Sequence, residues 1–552
     1  MVNDVKKGSA WPGEKPVIPD SAIKDVANTD VLVLGCGHAG MQCALAAAEK
    51  GASVIVIESK KEKKFRWVGE QVGHINSKFL INMGLGPYDE NEVIQEFVRC
   101  SGYRANPAII GLFVRNCGEM IDNMISLIPP GNNILAPDQA NVYQPYGNPE
   151  YPIVVGGCKS WAGTLQFRGD LVMDRDTDIG RGQARSRMSE FEGFALKRYK
   201  ELGGKLRFGE KAVVLVQENG RVTGAITKGS DGSYHKYLAS KGVTLCVGNF
   251  SEVGYSMGIW AGGHMDDLGI EAEPQTGTSD FSPAFGIIPF LALNKNGERF
   301  MDESIPYAFQ KAKQCQPKGM ITTVTDAKWP QQIRVVGLQH GNPDFGRPEY
   351  IEQHAEDMSH VLEAGAAGYP VRCMAYTERM KFTVYGANTL DELADFLGYK
   401  GTAKETWLRS IERYNQMCSA GVDTDFAKDP QTLFAIDEPP FYANKVEDRR
   451  PPVDMDAGGP SKGGGGSDDE EDAMPMMFGR GPQNHHPLAG LVTNNHLNVI
   501  DSNNEPIPGL YAAGNCLGGR YGYFYPTPLA GNYIGQAMTH GRVLGKLLAG
   551  KK

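Results

Sequence analysis

Two stretches near the ends of the chain combine short apolar runs with glycine-rich turns. In the first stretch, Val31 to Leu34 form an apolar run of strand type, and Met41 to Lys50 form an Ala-rich run of helical type. A second apolar run extends from Ser53 to Ile57, and Glu58 closes it. This order predicts a βαβ unit with two parallel strands.

The turn between this first strand and the helix carries Gly35, Gly37 and Gly40 at the G-x-G-x-x-G spacing. Glycines at this spacing let the backbone turn tightly and approach a pyrophosphate, while the helix N-terminus directs unpaired amides at the phosphates. Glu58 stands where a carboxylate can bind the ribose hydroxyls of an adenosine. Glycines also mark ordinary turns, but the flanking strand, helix and acid favour a dinucleotide site.

The C-terminal stretch has a similar pattern. After a hairpin turning at residues 502–504, Leu510 to Ala513 predict a strand that ends on Gly514 and Asn515. A glycine-rich loop with several aromatic residues follows, and a helix rich in small residues starts near Gly531. The amides of this helix would meet another electron-rich group, which in a flavoprotein is the pyrimidine edge of the isoalloxazine.

The region between these stretches changes character near Gly286 and again near Pro439. Before Gly286, β-type runs break at residues 218–220, which is a hairpin signal, and a buried strand begins at Gly242. After Gly286, the region contains amphipathic helices. We predict an N-terminal extension, a first part of a dinucleotide-binding domain, a capping domain and a second part of the binding domain, at residues 1–28, 29–285, 286–438 and 439–552. Helices are predicted at residues 188–202, 351–363, 390–397 and 404–417.

Residues 451–484 are rich in glycine, proline and acidic residues. Such a segment cannot bury enough apolar surface to offset its ordering entropy, so we predict a flexible loop. A sharper alternative is a lid over the active site, with an apolar tip at residues 474–478.

Composition excludes several classes of protein. The 552 residues carry a net charge of -9, so nothing suggests binding to nucleic acid. None of the ten cysteines forms a C-x-x-C pair, which argues against a zinc site or an iron–sulfur cluster and favours free thiols. No run of about 18 apolar residues occurs, and the N-terminus lacks the apolar core of a signal peptide. We expect a cytoplasmic protein that binds no membrane, unless a leader has been removed.

Several segments follow one another along the chain in a characteristic order: DVLVLGCGHAGMQCALAAAEKGASVIVIE, RVTGAI, GVTLCVGNF, LNKNGERFMDE, DTDFAKDP, PPFYA and IPGLYAAGN with LAGNYIGQAMTHGR. In these segments the chain resembles the flavoprotein family of soluble fumarate reductases, succinate dehydrogenase flavoprotein subunits and 3-ketosteroid dehydrogenases. The resemblance implies an α/β fold with FAD as cofactor. A Rossmann-like FAD-binding domain of the glutathione-reductase type would be built from both chain ends, with an inserted α+β capping domain and the active site at the seam.

The family's FAD-binding pattern carries over to both ends of this chain. The matching residues are Gly35, Gly37, Gly40, Glu58, Gly514, Asn515, Gly531 and Asn532. His38, Ala39, Ser59, Val213, Gly248 and Ile534 complete the candidate set for FAD.

The pattern that fumarate reductases use for their substrate carries over poorly. SDFSPAF stands in place of a His-Pro-Thr element, and Glu303 is retained, but Tyr307 replaces an arginine. The stretch from Val324 lacks the arginine that serves as the acid in fumarate reductases. In the terminal loop, Tyr521 replaces a histidine, and YFYPTP replaces a segment that contains an arginine. Two carboxylates need bidentate cationic partners, so we expect that fumarate is not the substrate.

The terminal loop supplies other candidates for catalysis. Tyr525 falls where 3-ketosteroid dehydrogenases place a tyrosine that binds the substrate ketone, and a tyrosine hydroxyl can polarise a carbonyl or donate a proton. Tyr521 and Tyr523 are weaker candidates, and all three aromatics could instead pack under the flavin. Arg520 could hold a substrate carboxylate or phosphate, or be a surface residue. Glu303 could belong to a proton path, or face water.

We predict an FAD-dependent oxidoreductase that reduces an enone or enoate by hydride transfer from flavin N5. The resemblance leaves two alternatives: a 3-ketosteroid dehydrogenase that introduces a ring double bond, and a flavin subunit that only relays electrons. The shaped aromatic loop argues against the relay. No second nucleotide motif is visible, so reduced flavin, NAD(P)H and a redox protein are all compatible electron donors.

Overall fold

The computed structural model describes most of both terminal regions and much of the middle of the chain. The described residues are 12–65, 67, 71–131, 153–155, 158–161, 163–166, 188–248, 252–266, 272–275, 290–304, 312, 316–317, 319–332, 348–372, 381–447, 483–522, 525, 528–529 and 531–551. The predicted loop at 451–484 lies almost wholly outside the described residues, and so do Tyr307 and Tyr523.

The helices of the described residues are numbered in chain order. They are α1 His38–Glu49, α2 Lys78–Asn82, α3 Glu90–Cys100, α4 Pro107–Ser126, α5 Met188–Glu201, α6 Glu252–Trp260, α7 Trp329–Gln332, α8 Pro348–Ser359, α9 Val361–Ala364, α10 Leu390–Leu397, α11 Gly401–Ala420 and α12 Asn532–Ala549. None of these helices has the length and apolar character that crossing a lipid bilayer requires.

The strands are numbered in the same way. They are β1 Ile23–Leu34, β2 Val54–Glu58, β3 Gln71–Gly73, β4 Ile153–Val155, β5 Cys158–Ser160, β6 Thr164–Gln166, β7 Lys205–Phe208, β8 Glu210–Glu218, β9 Arg221–Gly229, β10 Tyr234–Leu245, β11 Ala272–Gln275, β12 Leu291–Asn294, β13 Met320–Thr325, β14 Tyr369–Arg372, β15 Lys381–Ala387, β16 Phe441–Glu447, β17 Gln483–Pro487, β18 Asn498–Ile500 and β19 Pro506–Ala512.

The larger sheet joins strands from both ends of the chain. Its order is β18-β19-β10-β1-β2-β7, with β9 pairing antiparallel to β10 and β8 to β9. The four contacts between β19, β10, β1, β2 and β7 are parallel. The predicted α/β fold is therefore confirmed, and the two chain ends meet in one sheet because β19 pairs with β10.

Strand β1 begins inside the predicted N-terminal extension. It pairs with β10 from Ile23 onward, whereas the extension was predicted to run to residue 28. Most side chains of residues 23–28 are exposed or half-buried, so this half of the strand has no apolar pattern that the sequence could reveal.

Two apolar layers cover the larger sheet. On one face, Val31, Val33, Val54 and Val56 pack with residues of α1, α5 and α12. The other face carries Leu32, Leu34 and Ile55, which pack with residues of β8, β9 and α6. Since both faces are covered, these strands are apolar at nearly every position, as buried parallel strands are.

The smaller sheet is antiparallel, with the order β12-β13-β16-β15-β14. Its apolar residues pack on α10 and α11 on one side, and on Trp329, Met358 and Val361 on the other. Helix α10 has the predicted bounds, α11 is longer than predicted, and the helix predicted at 351–363 is divided into α8 and α9. Strand β16 is hydrogen-bonded to β13 on one edge and to β15 on the other. The smaller sheet therefore extends past the predicted domain boundary at residue 438.

Helices α1 and α12 cross at very short distance. A Cβ atom added to Gly541 would lie 2.1 Å from the Ala39 carbonyl oxygen, and one added to Gly545 would lie 2.2 Å from that of Cys43. The two helices can therefore approach this closely only because α12 has no side chain at these two positions.

We expect Gly541→Ala to destabilise the protein, because the added methyl group would overlap a backbone carbonyl that cannot rotate away. The expected loss is roughly 1–3 kcal/mol of unfolding free energy, the usual range for overpacking. Gly193→Ala is the matched control, since Gly193 is an exposed glycine inside α5 with nothing within 4 Å of an added Cβ. That variant should gain about 0.5–1 kcal/mol from helix propensity. Denaturant unfolding of both variants measures the difference, and equal stabilities would contradict the close contact.

Candidate active site

The first glycine motif forms a tight turn with an open front. Gly35 has φ +99°, and an added Cβ would lie 2.3 Å from the Cys246 carbonyl oxygen. A Cβ on Gly40 would lie 1.9 Å from the Gly35 oxygen, so both positions require glycine. Cβ atoms on Gly37 and Gly248, in contrast, would meet nothing within 4 Å. Backbone atoms therefore pack closely against the turn at Gly35 and Gly40, whereas open space lies beside Gly37 and Gly248.

Glu58 is held at the carboxyl end of β2. Its Oε2 accepts a hydrogen bond from the Cys36 amide at 3.0 Å, which ties the carboxylate to the glycine turn. Its Oε1 accepts from the Lys60 amide at 2.9 Å and from the Ser59 hydroxyl at 3.3 Å. The carboxylate is therefore fixed beside the start of α1, and Ser59 lies next to it with an exposed side chain.

The C-terminal glycine segment packs directly on this turn. Gly514, with φ +68°, lies so close to α1 that an added Cβ would be 2.6 Å from the Ala39 Cβ. Gly531, with φ +71°, begins α12, and its carbonyl accepts a hydrogen bond from the Gly73 amide at 2.9 Å. The structure thus brings the two predicted cofactor segments together, and places the segment that follows residue 70 beside them.

These residues fit a bound dinucleotide. The N-terminus of α1 follows Gly37, which provides no side-chain cap, and the glycines before it leave open space. Seven of the predicted cofactor-binding residues are half-buried, as expected of the walls of a cleft: Gly35, Gly37, His38, Val213, Gly248, Asn515 and Ile534. Ala39, Gly40, Glu58, Gly514, Gly531 and Asn532 are buried behind them.

The tyrosines of the terminal loop form a buried cluster with Tyr533. The ring of Tyr521 stacks on that of Tyr533 at 6.0 Å, and Tyr525 packs edge-on against both rings. Tyr521 donates a hydrogen bond to Asn532 Oδ1 at 3.2 Å, and the Tyr525 hydroxyl accepts one from the Tyr533 amide at 3.2 Å. Both predicted catalytic hydroxyls therefore have partners inside the protein, and their catalytic roles stay predictions.

Tyr533 is a residue that sequence reasoning missed. It is the second residue of α12, and it is half-buried whereas Tyr521 and Tyr525 are buried. The signal was present, since Tyr533 is a large aromatic directly after the Gly-Asn pair that begins the helix. It was missed because only the aromatics of the loop itself were considered.

Arg520 is fully buried, so the alternative of a surface residue is wrong. Its Nε donates to the Leu517 carbonyl at 2.8 Å and its Nη1 to Asn515 Oδ1 at 3.4 Å. The guanidinium carbon lies 4.9 Å from the ring centre of Tyr521 and 5.1 Å from that of Tyr533. The side chain is thus built into the loop between β19 and α12.

Glu303 lies elsewhere, in a buried cluster of charges. Its carboxylate receives hydrogen bonds from Arg299 at 2.9 and 3.0 Å, and lies 3.2 Å from the Lys428 ammonium. Arg299 also binds Asp423 at 2.7 Å. Burial raises the pKa of Asp423, but the hydrogen bonds from Arg299 and from two backbone amides outweigh it and lower this pKa to about 2.

This arrangement bears on the predicted proton path. Glu303 is fully buried, so the alternative that it faces water is wrong. Among the described residues, no hydrogen bond or ion pair joins Glu303 to the terminal loop. Its partners are two cations and the Ala292 amide, which are the contacts of a structural ion-pair network.

The chain belongs to the FAD binding domain family, whose model matches residues 30–269 and 286–533. It is therefore an FAD-dependent oxidoreductase, and the cofactor predicted from the two glycine segments is confirmed.

Similarity to known proteins extends over nearly the whole chain. A vinyl phenol reductase from Lactiplantibacillus plantarum is 23% identical over 94% of this chain and 95% of its own length. A 3-ketosteroid-Δ4-(5α)-dehydrogenase from Rhodococcus jostii has a similar fold, with a TM-score of 0.60 and 17% identity over 95% of this chain and 97% of its own. A flavocytochrome c3 fumarate reductase has a TM-score of 0.53 and 19% identity, over 95% and 78% of the two chains. The predicted resemblance is thereby confirmed.

We expect Glu303→Gln to destabilise the protein, because it removes the carboxylate that Arg299 and Lys428 share and leaves Asp423 as the remaining carboxylate of this network. Breaking a buried ion pair from one side costs roughly 3–5 kcal/mol. Asp395→Asn is the control, since it breaks an exposed pair with Lys404 and should change stability little. Thermal and denaturant unfolding give the stabilities, and steady-state turnover is measured in parallel. If the Glu303→Gln variant keeps its stability and loses turnover, the proton path is right and the structural role is wrong.

Proposed function

We propose that this flavoprotein reduces a carbon–carbon double bond that is conjugated with an electron-withdrawing group, as in an enone or enoate. The observation that carries the proposal is the terminal loop, where phenol groups and a single buried arginine replace the cations that a dicarboxylate would need. The full-length similarity to a vinyl phenol reductase supports the same class of reaction, since its name describes the reduction of a conjugated vinyl group. This similarity adds a second candidate substrate class, in which the double bond is conjugated with a hydroxylated aromatic ring instead of an electron-withdrawing group.

FAD, when bound and reduced, supplies the hydride for such a reaction. The protein's part is to bind the cofactor, orient the substrate and provide a proton for the second carbon. Gly35, Gly37 and Gly40 with the N-terminus of α1 would hold the pyrophosphate, and Glu58 the ribose. The electron donor stays open among reduced flavin, NAD(P)H and a redox protein.

Tyr533 is the side chain best suited to act on the substrate. It stands at the N-terminus of α12 and is partly exposed, whereas Tyr521 and Tyr525 are buried. The guanidinium of Arg520 lies beside its ring. A nearby positive charge stabilises the negative charge that develops on a phenolic oxygen as it gives up a proton. Tyr533 would thus polarise the conjugating group or protonate the substrate.

The substrate class is tested by reducing the bound flavin photochemically without oxygen and mixing it with a panel of acceptors. The panel contains a vinyl phenol, an enoate, an enone, a 3-ketosteroid and fumarate. Rapid reoxidation by one of the first three is expected, with fumarate slow because the loop offers no second cation. Reoxidation by fumarate alone would refute the proposal, and indifference to the whole panel would favour a subunit that only relays electrons.

We expect Tyr533→Phe to slow this reoxidation by a factor on the order of one hundred, the usual contribution of a positioned acid. Tyr525→Phe should have a smaller effect, because it removes only the hydroxyl that caps the Tyr533 amide. Both variants are compared at equal flavin content. A hundredfold loss confined to Tyr525→Phe would restore the role predicted from the resemblance and exclude Tyr533.

A further inference from the structure

Arg520 is a buried positive charge that no carboxylate of the described residues neutralises. Arg520 forms hydrogen bonds with a backbone carbonyl, with the amide oxygen of Asn515 and with the side chain of Tyr533, and its Nη2 has no acceptor. Asp266 is a carboxylate that serves the same loop, where it accepts hydrogen bonds from the amides of Gly490 and Gly519. Buried charges without a partner are rare, and they cluster at functional sites.

Three titratable neighbours of Arg520 are neutral at pH 7, namely Tyr521, Tyr255 and His540, whereas the negative charge of Asp266 also acts on Tyr255. Burial raises the pKa of the Tyr521 and Tyr255 phenols well above the ordinary value, so neither supplies a negative charge. Burial also lowers the pKa of His540 to about 4. The guanidinium of Arg520 is charged, because arginine side chains do not lose their proton in proteins. Of the four side chains Tyr255, Tyr521, His540 and Arg520, only the guanidinium is therefore charged.

Arg520 contacts the chain segments that are predicted to bind the cofactor. Arg520 bonds to Asn515, which follows β19, and stacks on Tyr533, the second residue of α12. Both residues belong to the segment predicted to hold the flavin, and none of the described contacts of Arg520 comes from the smaller sheet or its helices. The N-terminus of α12 is itself the positive end of a helix dipole, so two positive contributions coincide.

We infer that Arg520 is a redox-tuning residue, the fixed charge that favours the anionic reduced flavin over the oxidised flavin. A charge surrounded by apolar and neutral groups acts through a low effective dielectric, so it need not touch the flavin to stabilise negative charge on it. The inference depends on FAD and not on the identity of the substrate.

A role in binding an anionic substrate fits the geometry less well. The Arg520 side chain has no exposed surface, and Tyr521 and Tyr533 lie against it. A substrate carboxylate could reach the guanidinium only if this buried cluster opened. The cofactor segment, in contrast, is already in contact with it.

The test compares the FAD-loaded wild-type protein with Arg520→Met, which removes the charge, and Arg520→Lys, which keeps it. Arg542→Met is the matched control, because Arg542 is a buried arginine of α12 whose charge Glu49 and Glu119 neutralise. The midpoint potential of the flavin is measured by spectroscopic titration against reference dyes. The dissociation constant of the flavin–sulfite adduct is measured as a second probe of positive charge, and neither readout requires a substrate.

For Arg520→Met we expect at least a tenfold loss of reduced relative to oxidised flavin, which is about 30 mV for a two-electron couple. Sulfite affinity should fall by a similar factor, while Arg520→Lys and Arg542→Met should remain near wild type. If Arg520→Met does not fold, Arg520→Gln replaces it. An unchanged potential and unchanged sulfite affinity would overturn the inference. An unchanged potential together with a raised KM for anionic substrates only would also overturn it, because that result would assign the charge to substrate binding.

Discussion

The contact between α1 and α12 is the constraint on which the rest of the structure depends. Both helices follow strands of the larger sheet, although they lie almost 500 residues apart in the sequence. The absent side chains of Gly541 and Gly545 allow the backbones to touch, and Gly514 fits against Ala39 for the same reason. Without this approach the two glycine-rich turns would not face one cofactor, since each would belong to a separate half of the binding domain.

Burial also decides the electrostatics of the candidate active site. In the loop that joins β19 to α12, Arg520, Tyr521 and Tyr525 are all buried. Burial keeps the phenol of Tyr521 neutral and leaves the guanidinium charged, so the site has a positive charge and hydroxyl groups but no fixed negative charge from these side chains. Such an environment suits chemistry in which negative charge develops on the cofactor or substrate.

The region around the smaller sheet has its own apolar core and its own charge network. Arg299 joins Glu303 to Asp423, and it also lies 5.0 Å from the ring centres of Tyr414 and Phe426. This network links the turn after β12 to the segment after α11, which are distant in sequence. Its charges balance one another, whereas none of the described ion pairs joins Arg520 to a carboxylate.

The sequence by itself determined the α/β class, the glycine turns and FAD as the cofactor. These follow from local patterns: an apolar run before Gly35, a small-residue helix after Gly40, and Glu58 at the end of the next strand. The bounds of α10 were also predictable, because Thr389 caps its first turn and Gly398 ends it in a left-handed conformation. Only the tertiary structure decided the burial of Arg520, the partners of Glu303 and the position of Tyr533, because burial and ion pairing depend on chain segments that meet only in the folded protein. The polar first half of β1 could not be predicted from the sequence for a related reason. Backbone hydrogen bonds to β10 hold it in the sheet, and these bonds leave no apolar pattern in the sequence.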